Sequence, residues 1–154
     1  LNKFKFLDEV YVYRVMPSSI SLNFYKTAIL GKTVKNGETF YIGKNKKLIN
    51  SSQVFETITT PLVFGDFKID EYLKLQNILK DNQFNLSDID KYYYYKNKRW
   101  DLSFTDGITL MLPSKEMSKS IIIFKNLIDN DEFKNIKNVD LRVPNQIILT
   151  HYNE

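Results

Sequence analysis

Between Lys98 and Pro113, apolar and polar positions alternate as they do in paired strands. Trp100, Leu102 and Phe104 fall on one face, Asp106-Gly107 offers two residues suited to positive φ in a tight primed turn, and Ile108, Leu110 and Leu112 alternate on the return. The stretch predicts a β-hairpin whose outward side is basic at Lys98 and Arg99. Earlier in the chain, Val10, Val12 and Arg14 alternate with Tyr11, Tyr13 and Val15 as a short strand before the turn Pro17-Ser18-Ser19. A second strand from Ile20 carries an apolar face of Ile20, Leu22 and Phe24, and the run continues through Ala28-Ile29-Leu30 to a turn at Lys35-Asn36-Gly37-Glu38. Phe40 to Ile42 pairs with what precedes it, and Leu48-Ile49 forms a short strand. An extended connection from Ser51 to Thr60 then ends in Pro61-Leu62-Val63-Phe64-Gly65.

Two segments switch to helical spacing. The first starts near Asp66 as cap, places Asp70 and Glu71 where a helix N-terminus favours negative charge, and reaches about Leu79. Its stripe of Ile69, Tyr72, Leu73 and Leu79, widened by Leu75 and Ile78, is the broad face of a helix lying on a sheet. The second follows Pro113-Ser114, with Glu116 in its first turn and Met117, Ile121, Phe124 and Ile128 on one face. Ile89 to Tyr95 is a strand between them, and Asn145 to Tyr152 is the last strand, apolar on both sides at Ile147, Ile148 and Leu149. The pattern predicts an α+β fold: a mostly antiparallel sheet with two helices packed on it.

Composition narrows the chemistry. The 154 residues, 43% hydrophobic, suffice for one ordinary core, and ten Tyr with eleven Phe favour strands. The net charge of +4 comes from scattered lysines rather than a stripe, which argues against nucleic acid as a partner. In the run Tyr92 to Tyr95, alternate rings point to opposite faces, which suits sheet packing better than base stacking. Absence of cysteine excludes disulfides and thiolate metal sites. No apolar run approaches the roughly 18 residues of a membrane helix, the longest being Ile121 to Phe124. Leu1 is not an initiator residue, so an upstream portion carrying a signal or anchor is expected.

No reaction centre is legible. The single histidine, His151, lies on a strand with Ile147 and Leu149, and the carboxylates sit around helix ends and turns where capping and solubility explain them. Asp129-Asn130-Asp131-Glu132 lacks the glycine and ligand spacing of a calcium loop. No glycine-rich phosphate loop or nucleophile elbow is present. The reading is non-enzymatic, with no catalytic, cofactor or metal residues.

Several stretches, in order, carry a resemblance. Val12-Tyr13-Arg14-Val15-Met16-Pro17-Ser18-Ser19-Ile20-Ser21-Leu22, Arg99-Trp100-Asp101-Leu102, Asp106-Gly107, Leu112-Pro113 and Val139-Asp140-Leu141-Arg142 are similar to the signatures of the bacterial cell-division proteins called FtsQ or DivIB. Where that family usually has Glu-Arg-x-Pro-Ile-Ala, this chain has Tyr25-Lys26-Thr27-Ala28-Ile29-Leu30. The resemblance implies that residues 1–26 are the C-terminal part of a POTRA domain and 27–154 the family's β-domain. It also implies a periplasmic, extracytoplasmic domain of a single-pass inner-membrane protein at the division septum, anchored by a helix outside this chain. The implied role is a divisome scaffold that binds the extracytoplasmic ends of FtsB/FtsL-type partners, with other divisome components docking through the POTRA domain. A POTRA-containing secretion or outer-membrane assembly factor is the alternative.

The site expected from this reading is an edge. A last strand at the end of a sheet exposes unpaired backbone donors and acceptors that a partner strand can satisfy. Arg142 and the strand residues Val143, Asn145, Gln146, Ile147, Leu149 and His151 are expected to form it, with Arg142 suited to a bidentate pair with a carboxylate. Lys98 and Arg99 are expected to add charge complementarity, and Pro144, which has no amide hydrogen, to mark where the ladder begins.

Overall fold

The computed structural model describes residues 4–54, 56, 58–129 and 135–152. The chain forms two compact units, Leu1–Thr60 and Pro61–Glu154.

In the first unit, β1 (Leu7–Val15) and β2 (Ser19–Lys26) form an antiparallel hairpin with a bulge between Leu7 and Glu9. The expected apolar face of the second strand is exposed: Ile20, Leu22 and Phe24 are 71%, 61% and 59% accessible. Alternation formed the strand, but no described element of the unit lies over it. An antiparallel meander follows, β3 (Ile29–Lys35), β4 (Glu38–Gly43) and β5 (Leu48–Asn50). Asn36 and Gly37, at φ 52° and 80°, close its first turn as the sequence predicts, both in the left-handed region that a primed turn requires.

In the second unit, β6 (Leu62–Phe64), α1 (Ile69–Asp81), β7 (Ile89–Tyr95), β8 (Arg99–Phe104), β9 (Thr109–Met111), α2 (Met117–Ile128), β10 (Ile136–Asp140) and β11 (Ile148–His151) follow in chain order. Within this unit the strands lie in the order β11-β10-β9-β8-β7-β6. The pairs β6–β7 and β9–β10 are parallel and each is joined through a helix, because parallel neighbours need a crossover, while the remaining neighbours are antiparallel. The α+β architecture is the one expected.

One row of side chains shows how the core is laid down. Val63, Tyr92, Leu102, Leu110, Val139 and Leu149 are successive cross-strand partners on the helix-covered face. The first five are buried and Leu149, the last, is half-buried. Burying each such side chain contributes about 1.5–3 kcal/mol. Trp100 packs against Tyr72 of α1 and against Tyr94 of β7 at centroid distances of 6.1 and 4.8 Å. Phe124 of α2 meets Phe104 of β8 at 5.3 Å. The four tyrosines of β7 divide between the faces: Tyr92 and Tyr94 go to the helix side, while Tyr93 stacks on Phe64 and Tyr95 lies beneath Arg99.

Four local expectations need correcting. Asp106 does not take positive φ. The hairpin closes through the three-residue loop Thr105 to Gly107, with the Gly107 amide donating to the Phe104 carbonyl (3.1 Å), Asp106 Oδ1 accepting from the Ile108 amide (3.0 Å) and only Gly107 left-handed, at φ 94°. The N-cap of α1 is Lys68 rather than Asp66, its amide donating to the Glu71 carboxylate (3.2 Å). On α2 the buried face runs through Ser120, Ile121, Phe124 and Leu127, so Leu127 takes the place expected of Ile128. The last strand is shorter than expected, because residues 143–146 form a turn with Asn145 at φ 60°. The acidic stretch after Asp129 lies outside the described residues.

Candidate functional site

β11 lies at the end of the sheet, paired on one side with β10 and with no second neighbour among the described residues. The register is Asp140↔Ile148, Val139↔Leu149, Asn138↔Thr150 and Ile136↔His151, with the extra residue of a bulge on β10. The Tyr152 amide donates inward to the Asn135 carbonyl at 3.0 Å. Backbone groups alternate along a strand, so Thr150 and Ile148 also face β10, whereas the N–H and C=O of Leu149 and His151 point away from the sheet. A partner strand would meet these groups. Tyr152 also ties down the end of the strand, its hydroxyl donating to the Gly107 carbonyl (3.1 Å).

Beside the start of β11 lies a cleft of about 800 Å³ whose walls include Arg99, Lys115, Lys119, Ile123, Arg142 and Ile147. The residues just before α2 and those of the β10–β11 connection face one another across it. Ile123 and Ile147 are exposed at 41% and 49%, which gives the cleft an apolar wall beside its cations. Lys119 donates to Glu116 at 2.7 Å, partly neutralising one side.

The arginines are held by carboxylates of their own chain. Arg142 Nε donates to Asp140 Oδ1 (2.7 Å), its Nη2 donates to Oδ2, and its amide donates to Oδ1 at 3.0 Å. This pairing holds the Asp140 carboxyl below the usual carboxylate range and raises Arg142. Arg99 lies over the Tyr95 ring (4.2 Å), with its Nε 3.4 Å from Asp101 Oδ1. That contact is an ion pair without hydrogen-bond geometry. Asp101 is only 6% exposed, and burial pushes its carboxyl up even though Arg99 and the Tyr95 hydroxyl pull it down.

Of the residues expected at the site, Arg99, Arg142, Val143, Asn145, Gln146 and Ile147 line the cleft. Leu149 and His151 lie on the edge strand itself. Lys98 stands apart from the cleft lining, in the β7–β8 turn at φ 62°. Val143, Asn145 and Gln146 belong to the turn rather than to the strand, since the Gln146 amide donates to the Val143 carbonyl at 3.2 Å. Pro144 therefore lies inside the turn, and the ladder begins at Ile148. Sequence reasoning missed Asp140, Lys115, Lys119 and Ile123 as site residues. The Asp-x-Arg spacing was the available signal for Asp140, while the other three reach the cleft only through the position of α2.

The family model of the cell division protein FtsQ/DivIB C-terminal domain matches residues 34–142, which takes in Lys98, Arg99 and Arg142 and stops before β11. Among solved structures, the chain is similar to the major extracytoplasmic domain of the trans isomer of the cell division protein DivIB from Geobacillus stearothermophilus. The identity is 11% and the TM-score 0.44, over 66% of this chain and 91% of that one. No curated protein matches the chain.

Proposed function

The chain belongs to the FtsQ/DivIB family of non-catalytic cell-division proteins, and from that premise we propose that it is the extracytoplasmic part of a membrane-anchored divisome scaffold that takes a strand of an FtsB/FtsL-type partner at the edge of β11. The observation that carries this reading is the position of β11 at the end of its sheet, with the backbone groups of Leu149 and His151 directed outward. Strand addition satisfies those groups and gives affinity through main-chain bonds, while neighbouring side chains give specificity. The half-buried Leu149 ends the apolar row that begins at Val63, so an added strand with an apolar residue opposite it extends the core by one position.

The cleft at the start of β11 receives the chain flanking the added strand. Its exposed isoleucines favour apolar residues, and Lys115 favours acidic ones. The proposal extends to residues 1–26 as the end of a POTRA domain through which other division proteins dock.

The test is fluorescence anisotropy with a labelled peptide from the extracytoplasmic end of the FtsB-type protein of the same bacterium. Saturable binding, competed by unlabelled peptide and weakened when the acidic residues of the peptide are neutralised, is expected. No saturable binding to the folded chain would overturn the reading.

A further inference from the structure

The connection from β10 to β11, residues 141–147, is long for two antiparallel neighbours, and a loop of this length does not by itself fix how the next strand is presented. Its exit is nevertheless tightly held. The Leu141 amide donates to the Met111 carbonyl at 3.0 Å, and Leu141 is buried. At the next residue, three donors of Arg142 converge on the one carboxylate of Asp140. Asp140 is itself the β10 residue paired with Ile148, the first residue of β11. The two side chains are 15% and 37% exposed, so the pair is partly shielded from water. Beyond this point, the described hydrogen bonds within the connection reduce to the single turn bond from Gln146 to Val143.

We propose that Asp140 is a positioning residue for the partner-binding edge: by holding Arg142 it fixes the start of the connection, and with it the register in which β11 presents Leu149 and His151. This rests on the reading of β11 as the docking edge. Arg142 then acts chiefly inward. Two of its fork donors are committed to Asp140 before any partner arrives, and its energetic role is preorganisation of the edge.

The competing role for Arg142, a direct ion pair with a partner carboxylate, makes the opposite forecast for Asp140. If Arg142 reached outward, removing the Asp140 charge would free the guanidinium and tighten binding. If Arg142 is held for positioning, the same change loosens the edge and weakens binding.

The experiment uses the whole chain with the labelled FtsB-type peptide and compares Asp140→Asn, Arg142→Gln and the double variant with the unmodified protein. Far-UV circular dichroism and thermal melting identify the folded variants. Each single substitution is expected to raise Kd about tenfold, and the double variant no further than either single one, because both remove the same clamp. In the free protein, amide exchange across 143–150 is expected to quicken in both single variants, a readout that a direct partner contact does not move. Binding by Asp140→Asn that equals or exceeds that of the unmodified chain, or unchanged exchange, would overturn the proposal. If instead the unmodified chain fails to bind the peptide, it is the docking reading that falls, while the exchange result still decides the clamp.

Discussion

Replacing Leu149 with proline removes one outward-facing donor and leaves the inward ladder intact. The Leu149 amide points away from β10, so the bonds made by Ile148 and Thr150 toward β10 survive, and an edge strand tolerates proline when its N–H side faces solvent. The loss on binding has two parts: about 0.5–1.5 kcal/mol for the missing hydrogen bond, and about 1–3 kcal/mol for the partner carbonyl left without a donor. Together these come to roughly 1.5–4.5 kcal/mol, which raises Kd by about tenfold to about two-thousandfold. Part of the Leu149 side chain is lost as well, so Leu149→Ala, which keeps the amide, is the proper reference. The assay is peptide anisotropy on both variants, with thermal melts to show that their folded states are comparable. If Leu149→Pro binds within about threefold of Leu149→Ala, well under the shift expected from one lost hydrogen bond and its orphaned acceptor, strand addition at this position is refuted.

Further outcomes follow from the packing and charges. A Cβ on Gly65, at φ 100°, would clash with the Tyr94 carbonyl oxygen, whereas one on Gly37, at φ 80°, meets nothing within 4 Å. Gly65→Ala should therefore cost several times the roughly 1–2 kcal/mol of Gly37→Ala in denaturant titration, and equal costs would contradict the close approach. Leu127 is 7% exposed and Ile128 42%, so Leu127→Ala should lose about 2–4 kcal/mol and Ile128→Ala under about 1 kcal/mol. The ionised Asp140 carboxylate is favoured by folding, so its stabilisation is present above the unfolded carboxylate pKa and is lost as pH falls through the lower folded value. Asp101 has the opposite sign: its raised folded pKa penalises the ionised form at neutral pH, and the penalty fades as pH falls through that value. At pH 7, Asp140→Asn should lower the melting temperature while Asp101→Asn leaves it level or raises it, with both differences shrinking toward acid pH. A large loss for Asp101→Asn at pH 7 would mean that the Arg99 pair outweighs burial.

Much of the sheet was legible because period-two alternation and turn residues are local signals. Trp100, Leu102 and Phe104 share a face as read, and Asn36-Gly37 closes its hairpin with both residues at positive φ. The misreadings come where tertiary context decides. Leu127 and Ile128 are neighbours on one helix, and only the angle at which α2 lies on β8 selects which is buried. Gln76 is buried in α1, where a hydrophobic stripe gave no reason to place it, and donates to the Tyr72 hydroxyl at 2.7 Å. Arg99, Arg142, Leu149 and His151 of the candidate site could be named from the chain, whereas Lys115 and Lys119 could not. Nor could the geometry of the site, because the Asp140 clamp depends on a side chain folding back two residues and the cleft depends on α2 meeting the β10–β11 connection.

Amide hydrogen exchange on the chain, free and saturated with the FtsB-type peptide, tests strand addition most directly. The account predicts an alternating signature: the amides of Leu149 and His151 exchange readily in the free protein and slow sharply in the complex, while Thr150 and Tyr152, already bonded to β10, change little. Protection that spreads evenly along β11, or that falls elsewhere and leaves Leu149 and His151 exchanging as before, would contradict it.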